Sequence, residues 1–156
     1  MSTQIKIYLE LFRDGKWVCK PAIDINHNQA YYFFALLCGT LKRGSKNRAL
    51  PLLKNRGLPP DLSDSLAYEW AEYGEWMHDG NYITVAELRA ASEQVEDLKK
   101  YMSRYCLTEE DFGQLDVFLR DIELYTSPED SLLRAKNGTR VVLQPDQIRI
   151  VFWFDN

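Results

Sequence analysis

The sequence has few histidines and cysteines and lacks the common catalytic motifs. It has two histidines, His27 and His78, and three cysteines that lie far apart. No Cys-x-x-Cys or His-x-x-x-His spacing occurs, so the usual zinc-ligand patterns are missing. The glycine patterns of phosphate-binding loops and the Gly-x-Ser-x-Gly nucleophile elbow are missing as well. We therefore expect no metal site and no cofactor, assign no catalytic residue, and favour a binding protein over an enzyme.

Long apolar runs and targeting signals are missing too. The most apolar run, residues 30–38, is far shorter than the ~20 residues that a membrane-spanning helix needs. The chain begins directly with a strand pattern, without the basic and apolar regions of a secretory signal. The scattered cysteines, Cys19, Cys38 and Cys106, are typical of reduced, packed thiols. We predict a cytoplasmic protein with no membrane association.

Positive charge is in deficit over the whole chain. There are 19 Lys and Arg against 23 Asp and Glu, which gives a net charge of −4 and a pI near 5.2. Affinity for duplex nucleic acid grows with the number of phosphates that Lys and Arg neutralise, so we expect no general duplex binding. With 156 residues, of which 46% are hydrophobic, the chain can bury one core, and we predict a single domain, 1–156.

Strand signals lie at both ends of the chain. Apolar residues at positions 5, 7, 9 and 11 alternate with other types, which predicts a strand with one face on the core. Asp14-Gly15 predicts a tight turn into a second, edge strand at 17–19. Near the other end we predict a hairpin, in which residues 140–143 turn at 144–146 into a strand at 147–154. Both faces of that last strand are apolar, so we expect it to be central.

The middle of the chain has helical patterns. We predict a buried aromatic helix over residues 29–39, a helix from Asp61 or Ser63 to about Tyr73, and a loop over 74–81. A capping box at residues 84–87 predicts a helix to about 105, and another follows from 108 to 125. The predicted fold is α+β: an antiparallel sheet built from N- and C-terminal hairpins packs against the buried aromatic helix and a helical middle section. Helices 84–125 also offer a surface for a homodimer.

One segment concentrates the positive charge. Residues 42–56 carry no Asp or Glu, and their basic residues are Lys42, Arg43, Lys46, Arg48, Lys54 and Arg56. We predict a long ordered loop whose guanidinium groups can bind phosphate oxygens. A nucleotide or other small phosphate ligand, bound or hydrolysed here, is the alternative function. The simpler interpretation is a solvated loop that keeps an acidic protein soluble.

A second candidate binding site lies at residues 74–82. Trp76 is a large ring between Gly74 and Gly80, and His78, Asp79 and Asn81 follow it. Trp76 either contacts a partner as an interface hot spot or fills the edge of the core. Tyr73 and Tyr82 are further aromatic residues that suit such a hot spot. His78 and Asp79 form a donor–acceptor pair that can change its charge with pH.

Three short motifs, in this order, carry a resemblance. They are the Arg-Gly-Leu-Pro-Pro-Asp-Leu-Ser run from residue 56, the Tyr-Ile-Thr-Val-Ala-Glu-Leu run from residue 82, and the terminal Val-Phe-Trp-Phe-Asp-Asn. Together they resemble a family of small proteins encoded by bacteriophages and prophages. The resemblance implies a phage protein that acts in the host cytosol. It favours a non-enzymatic protein that sequesters or blocks a host protein, in counter-defence or regulation.

Overall fold

A computed structural model of the chain describes residues 4–20, 56–92 and 120–155. Its strands are β1 (Gln4–Arg13), β2 (Lys16–Lys20), β3 (Met77–Thr84) and β4 (Ile148–Asp155). Its helices are α1 (Asp64–Tyr73) and α2 (Val85–Ser92), with 3₁₀ turns at Gly74–Trp76 and Pro145–Gln147. The described strands form an antiparallel sheet in the order β2-β1-β4-β3. The predicted α+β class is confirmed.

The N-terminal hairpin forms as predicted. Asp14 and Gly15 have φ values of 52° and 79°, so both central residues of the turn are in the left-handed region. This is the geometry of a type I′ turn, which suits a Gly at the second position and matches the twist of the flanking strands. The turn sets the register in which Phe12 faces Trp17. β2 lies at the edge of the sheet, as expected from Pro21.

β4 is the central strand of the core. It lies between β1 and β3, and each residue from Ile148 to Phe154 is at most 2% exposed. Even-numbered residues of β4, such as Phe152, point to one face of the sheet and odd-numbered ones, such as Trp153, to the other. The predictions that this strand is covered on both faces and that the two ends of the chain pair in one sheet are confirmed.

α1 packs on the Trp153 face of the sheet. Ser63 is its N-cap, and Leu66 and Trp70 lie one turn apart on the side that faces the core. The Trp70 ring meets the Trp153 ring edge-on, with 5.5 Å between the centroids. On the same side, Glu69 accepts a hydrogen bond from the Tyr8 hydroxyl. The predicted start and end of this helix are confirmed.

The predicted loop over residues 74–81 is wrong. Gly74–Trp76 form a 3₁₀ turn, and Met77 begins strand β3, which pairs with β4. The pairing shifts by one residue between His78 and Asn81, so that Asp79 and Gly80 together oppose one residue of β4. This is a β-bulge, and Asp79 sits in it with a φ of 51°. Asp and Gly, which normally signal a turn, form the bulge here.

The predicted C-terminal hairpin is also wrong. β4 pairs with β1 and β3, whereas residues 140–143 lie outside the sheet and contribute one isolated bridge, Arg134 to Arg140. The Leu143 amide instead donates to the Tyr125 carbonyl at 3.1 Å. The predicted turn at 144–146 is real, as the 3₁₀ turn Pro145–Gln147, but it leads from an irregular segment into β4.

The remaining helix predictions fall largely outside the described residues. α2 begins where the capping box predicts, and the Thr84 hydroxyl accepts the Glu87 amide at 3.1 Å. Residues 120–123 are helical. The aromatic helix at 29–39, the helical residues 93–119 and hence the homodimer surface lie outside the described ranges. Among the residues that are described, no helix has the length and apolar character that crossing a bilayer requires.

Candidate functional site

Arg56, predicted as an anion-binding residue, is engaged by its own chain. Its Nη2 atom lies 2.6 Å from Glu87 Oε2 and 2.8 Å from the Tyr82 carbonyl oxygen. The guanidinium also lies over the Tyr82 ring, with 3.8 Å between Cζ and the centroid. Arg56 is therefore already neutralised by a carboxylate. The other predicted anion ligands, Lys42, Arg43 and Arg48, lie outside the described residues.

Asn81 is likewise a structural residue of the sheet edge. It is fully buried, and its side-chain carbonyl accepts the Tyr82 amide at 2.8 Å. Arg56 binds the Tyr82 carbonyl, so side chains bind both backbone groups of Tyr82. Free backbone groups on an edge strand invite pairing with another chain, and side chains that bind them prevent it. We infer that Asn81 and Arg56 close the β3 edge at this point.

A buried ion pair joins β1 and β4, the two inner strands of the sheet. Arg149 Nε lies 2.6 Å from Glu10 Oε2, and these side chains are 3% and 0% exposed. The other Glu10 oxygen accepts the Ser63 amide at 2.7 Å, at the start of α1. Arg149 also binds the Asp61 carboxylate at 2.7 Å, and this hydrogen bond lowers the pKa of Asp61. The network fixes the helix to the sheet.

Aromatic rings stack on the same guanidinium groups. Arg149 Cζ lies 3.9 Å from the Trp17 centroid and 5.6 Å from the Tyr82 centroid. Since Arg56 covers Tyr82 as well, rings and guanidinium groups alternate from β2 to the β3 edge. Such cation–π contacts are attractive, and they are strongest where water is excluded. We infer that these contacts help to hold β2, β3 and β4 together.

A cavity of about 350 Å³ lies between the N-terminal hairpin and the start of α1. Trp17, Asp61 and Ser63 are among the residues that line it. The Asp61 carboxylate is already bound by Arg149 and by the Trp17 indole N–H at 2.9 Å. Of the site residues predicted from the sequence, none that the structure describes lines this cavity. No group of three or more His, Cys, Asp and Glu in the described residues is arranged to hold a metal ion.

His78 and Asp79 lie together, as predicted. His78 Nδ1 is 2.8 Å from Asp79 Oδ2, and the two side chains are about 40% and 39% exposed. The imidazole also stacks on the Phe154 ring at 5.9 Å between centroids. The bulge turns Asp79 back toward its neighbour, so the pair is a local consequence of the backbone. Both side chains remain accessible from solvent.

Trp76 is exposed, which decides between the two interpretations of this residue. Its relative exposure is 61%, so it does not fill the core edge. Tyr73 at 56% and Tyr68 at 68% are exposed as well. Tyr73 and Trp76 lie three residues apart across the helix end, where side chains three positions apart are close neighbours. Three large rings thus project from nine residues of α1 and the turn after it.

Acidic residues surround these rings. Residues 61–79 contain six Asp and Glu, and neither Lys nor Arg occurs between Arg56 and Arg89. Glu72 and Glu75 are exposed, and within the described ranges neither forms an ion pair. We call this set the acidic aromatic surface. Its members are Tyr68, Glu72, Tyr73, Glu75 and Trp76.

Sequence reasoning singled out two members of this surface, Trp76 and Tyr73, and missed Tyr68, Glu72 and Glu75. A signal for Tyr68 and Glu72 was present in α1. Leu66 and Trp70 define the buried side of the helix, and Tyr68 and Glu72 lie two positions after each, on the opposite side. A tyrosine on the solvent side of an amphipathic helix has no packing role, so it indicates a contact surface.

Comparison with known proteins identifies no relative of this chain. No protein-family model, curated protein or solved structure matches the chain.

Proposed function

We propose that this chain is a non-enzymatic binding protein that docks a positively charged protein through its acidic aromatic surface. The observation that supports this most directly is the exposure of Tyr68, Tyr73 and Trp76 within nine residues. Single exposed apolar residues are common on protein surfaces, but a cluster of large rings is typical of interaction sites. Tyr and Trp are also the residue types enriched at interface hot spots.

The rings supply the energy of the proposed contact. A buried aromatic side chain removes ~150–250 Å² from water, at ~25 cal/mol per Å². Trp76 is 61% exposed, so covering this exposed part yields about 2–4 kcal/mol before the entropic cost of association. Tyr and Trp have few rotatable bonds, so little side-chain entropy is lost. A partner that covers Tyr73 and Trp76 together would gain most of its affinity there.

The carboxylates supply selectivity. Glu72 and Glu75 carry charges that no described residue neutralises. Charges of one sign steer an oppositely charged partner and repel like-charged ones. An arginine-rich surface fits best, because guanidinium groups pair with carboxylates and also stack on aromatic rings.

The class of partner is proposed from the family resemblance in the sequence. That resemblance supports a phage-encoded protein whose partner is a component of the host cytosol, and whose effect is to sequester or block it. The acidic aromatic surface offers a contact for such a partner without requiring any chemistry.

The proposal is tested by comparing what the wild type and Trp76→Ala capture from a bacterial lysate. Both are immobilised and the captured proteins are quantified by mass spectrometry. Val18→Ala is the control, since Val18 is 41% exposed and lies on β2. We expect a basic protein to be captured in stoichiometric amount by the wild type and the control, and to be lost from Trp76→Ala. Equal capture by all three chains would contradict the proposal.

A further inference from the structure

Residues 131–142 form a second exposed feature of opposite charge, which we call the basic hairpin. Backbone hydrogen bonds join Val141 N to the Leu133 carbonyl at 3.2 Å and Ala135 N to the Thr139 carbonyl at 2.8 Å. Gly138, with a φ of 80°, closes the tip. The Gly138 amide donates to the Ala135 carbonyl at 2.9 Å, which tightens this turn.

The base of the hairpin is anchored in the core. Ser131 and Leu133 are 1% and 2% exposed, and the Ser131 hydroxyl donates to the Val141 carbonyl. Directly after the hairpin, Leu143 is 5% exposed and its amide binds the Tyr125 carbonyl. A hairpin held this way presents its outer face in a fixed orientation.

The outer face combines two apolar and two basic side chains. Arg134 and Arg140 are bridge partners, so the same register sets Leu132 opposite Val142. Alternation along the two arms places these four residues on one face and Leu133 on the other. Leu132 is 55% exposed and Val142 is 37% exposed, and both arginines are exposed.

The charge on this face is uncompensated. Residues 131–145 contain no Asp or Glu, and within the described part of the chain neither Arg134 nor Arg140 forms an ion pair. Like charges directly opposite each other on paired strands are destabilising. The Arg134 guanidinium nevertheless is held in place, because it donates to the Leu133 carbonyl at 3.0 Å and to the Ser131 carbonyl. The fold retains an unfavourable arginine pair beside two exposed apolar side chains.

We propose that the basic hairpin of one copy docks on the acidic aromatic surface of a second copy. The two surfaces are complementary in charge and in apolar character: in the proposed contact, the arginines face Glu72 and Glu75, and the apolar side chains face the rings. The apolar pair argues against a nucleic-acid backbone as the partner of the hairpin, since phosphate groups make no favourable contact with Leu132 and Val142. Arginine stacks on aromatic rings as well as pairing with carboxylates, so both parts of the contact reinforce each other.

The proposed contact is heterologous, because each copy contributes a different surface. Two copies joined in this way still have one unused hairpin and one unused acidic aromatic surface, so further copies can add. The contact shares the acidic aromatic surface with the proposed function, so a basic partner would compete with a second copy there. It does not require that partner to exist, and the hairpin itself plays no part in binding the partner.

Three variants test the proposal by sedimentation velocity across micromolar concentrations at low and high salt. The hairpin variant is Leu132→Ser/Arg140→Ser, and the surface variant is Glu75→Gln/Trp76→Ala. Val18→Ser/Arg120→Ser is the matched control, because it also removes one exposed apolar side chain and one exposed arginine. All substitutions are at exposed positions, and circular dichroism checks that each variant is folded.

We expect the wild type and the control to self-associate, more strongly at low salt, and each of the other two variants to associate at least about tenfold more weakly. A mixture of the hairpin and surface variants retains one complete contact, so it should form a one-to-one complex and nothing larger. A monomeric wild type, association that persists in the hairpin variant, or a mixture that stays monomeric would each overturn the proposal. Capture of a basic lysate protein by the hairpin variant would still support the proposed function, so the two ideas fail separately.

Discussion

Replacing Arg149 with methionine tests how the helix is held to the sheet. The Arg149 and Glu10 side chains are 3% and 0% exposed, so water solvates neither charge and each charge is stabilised by the other. In Arg149→Met, Glu10 keeps the bond from the Ser63 amide but loses the guanidinium at 2.6 Å. A buried carboxylate without its counter-charge is strongly unfavourable.

The size of the effect follows from this burial. Removing one partner of a buried ion pair costs about 3–5 kcal/mol of unfolding free energy. For a domain of this length, that corresponds to a fall of about 6–20 °C in the melting temperature. The Asp61 carboxylate also binds Arg149, but its side chain is 62% exposed. We therefore assign at most about 1 kcal/mol to that contact.

Urea unfolding, followed by tryptophan fluorescence and circular dichroism, measures these changes as shifts in the midpoint at constant slope. Arg149→Met should lose about 3–5 kcal/mol, and Asp61→Asn no more than about 1 kcal/mol. Glu10→Gln/Arg149→Met should recover most of the loss, since no charge is left buried. A loss below about 1 kcal/mol in Arg149→Met, or a double variant as unstable as the single one, would refute the reasoning.

Three further predictions concern the core, the acid response and the thiol. Phe152 is fully buried in the central strand, so Phe152→Ala should lower the free energy of unfolding by about 3–5 kcal/mol. An unchanged urea midpoint would contradict its placement in the core. The hydrogen bond from Arg149 lowers the pKa of Asp61, so the carboxylate stabilises the fold above its unfolded pKa near 3.9 and stops doing so as pH falls through its folded pKa. The stability difference between wild type and Asp61→Asn should therefore shrink below about pH 4, which urea midpoints at descending pH will check. Burial raises the pKa of Cys19 to about 11, so Cys19→Ser should leave the number of thiols that react rapidly with Ellman's reagent at neutral pH unchanged.

The parts of the fold that were predictable are those with local signals. Alternation at positions 5, 7, 9 and 11 identified β1, and Asp14-Gly15 identified its turn. β4 was recognisable because both faces of the strand are apolar. β3 was missed because Asp79 and Gly80 form a bulge that breaks the alternation. β4 has two partners, and its pairing with β3 was missed because the choice between residues 140–143 and β3 depends on contacts distant in the sequence.

The candidate site shows the same division between local and distant information. Arg56 looked available because the basic segment 42–56 contains no acid, but Glu87 lies 31 residues further on and binds it. Asn81 looked like a surface loop residue, but it is buried at the sheet edge. For Trp76 the sequence left two interpretations, and the 3₁₀ turn that exposes the ring decided between them. The neighbouring Glu75 becomes part of the same surface only once that turn is known.

The most direct test of the acidic aromatic surface is photo-cross-linking in bacterial cells. A benzophenone amino acid replaces Trp76 in one chain and Val18 in another, both exposed positions on different parts of the molecule. We predict a specific adduct with a basic protein at position 76 and none at position 18. Adducts of equal yield at both positions, or none at position 76, would contradict the central claim that this surface binds the partner.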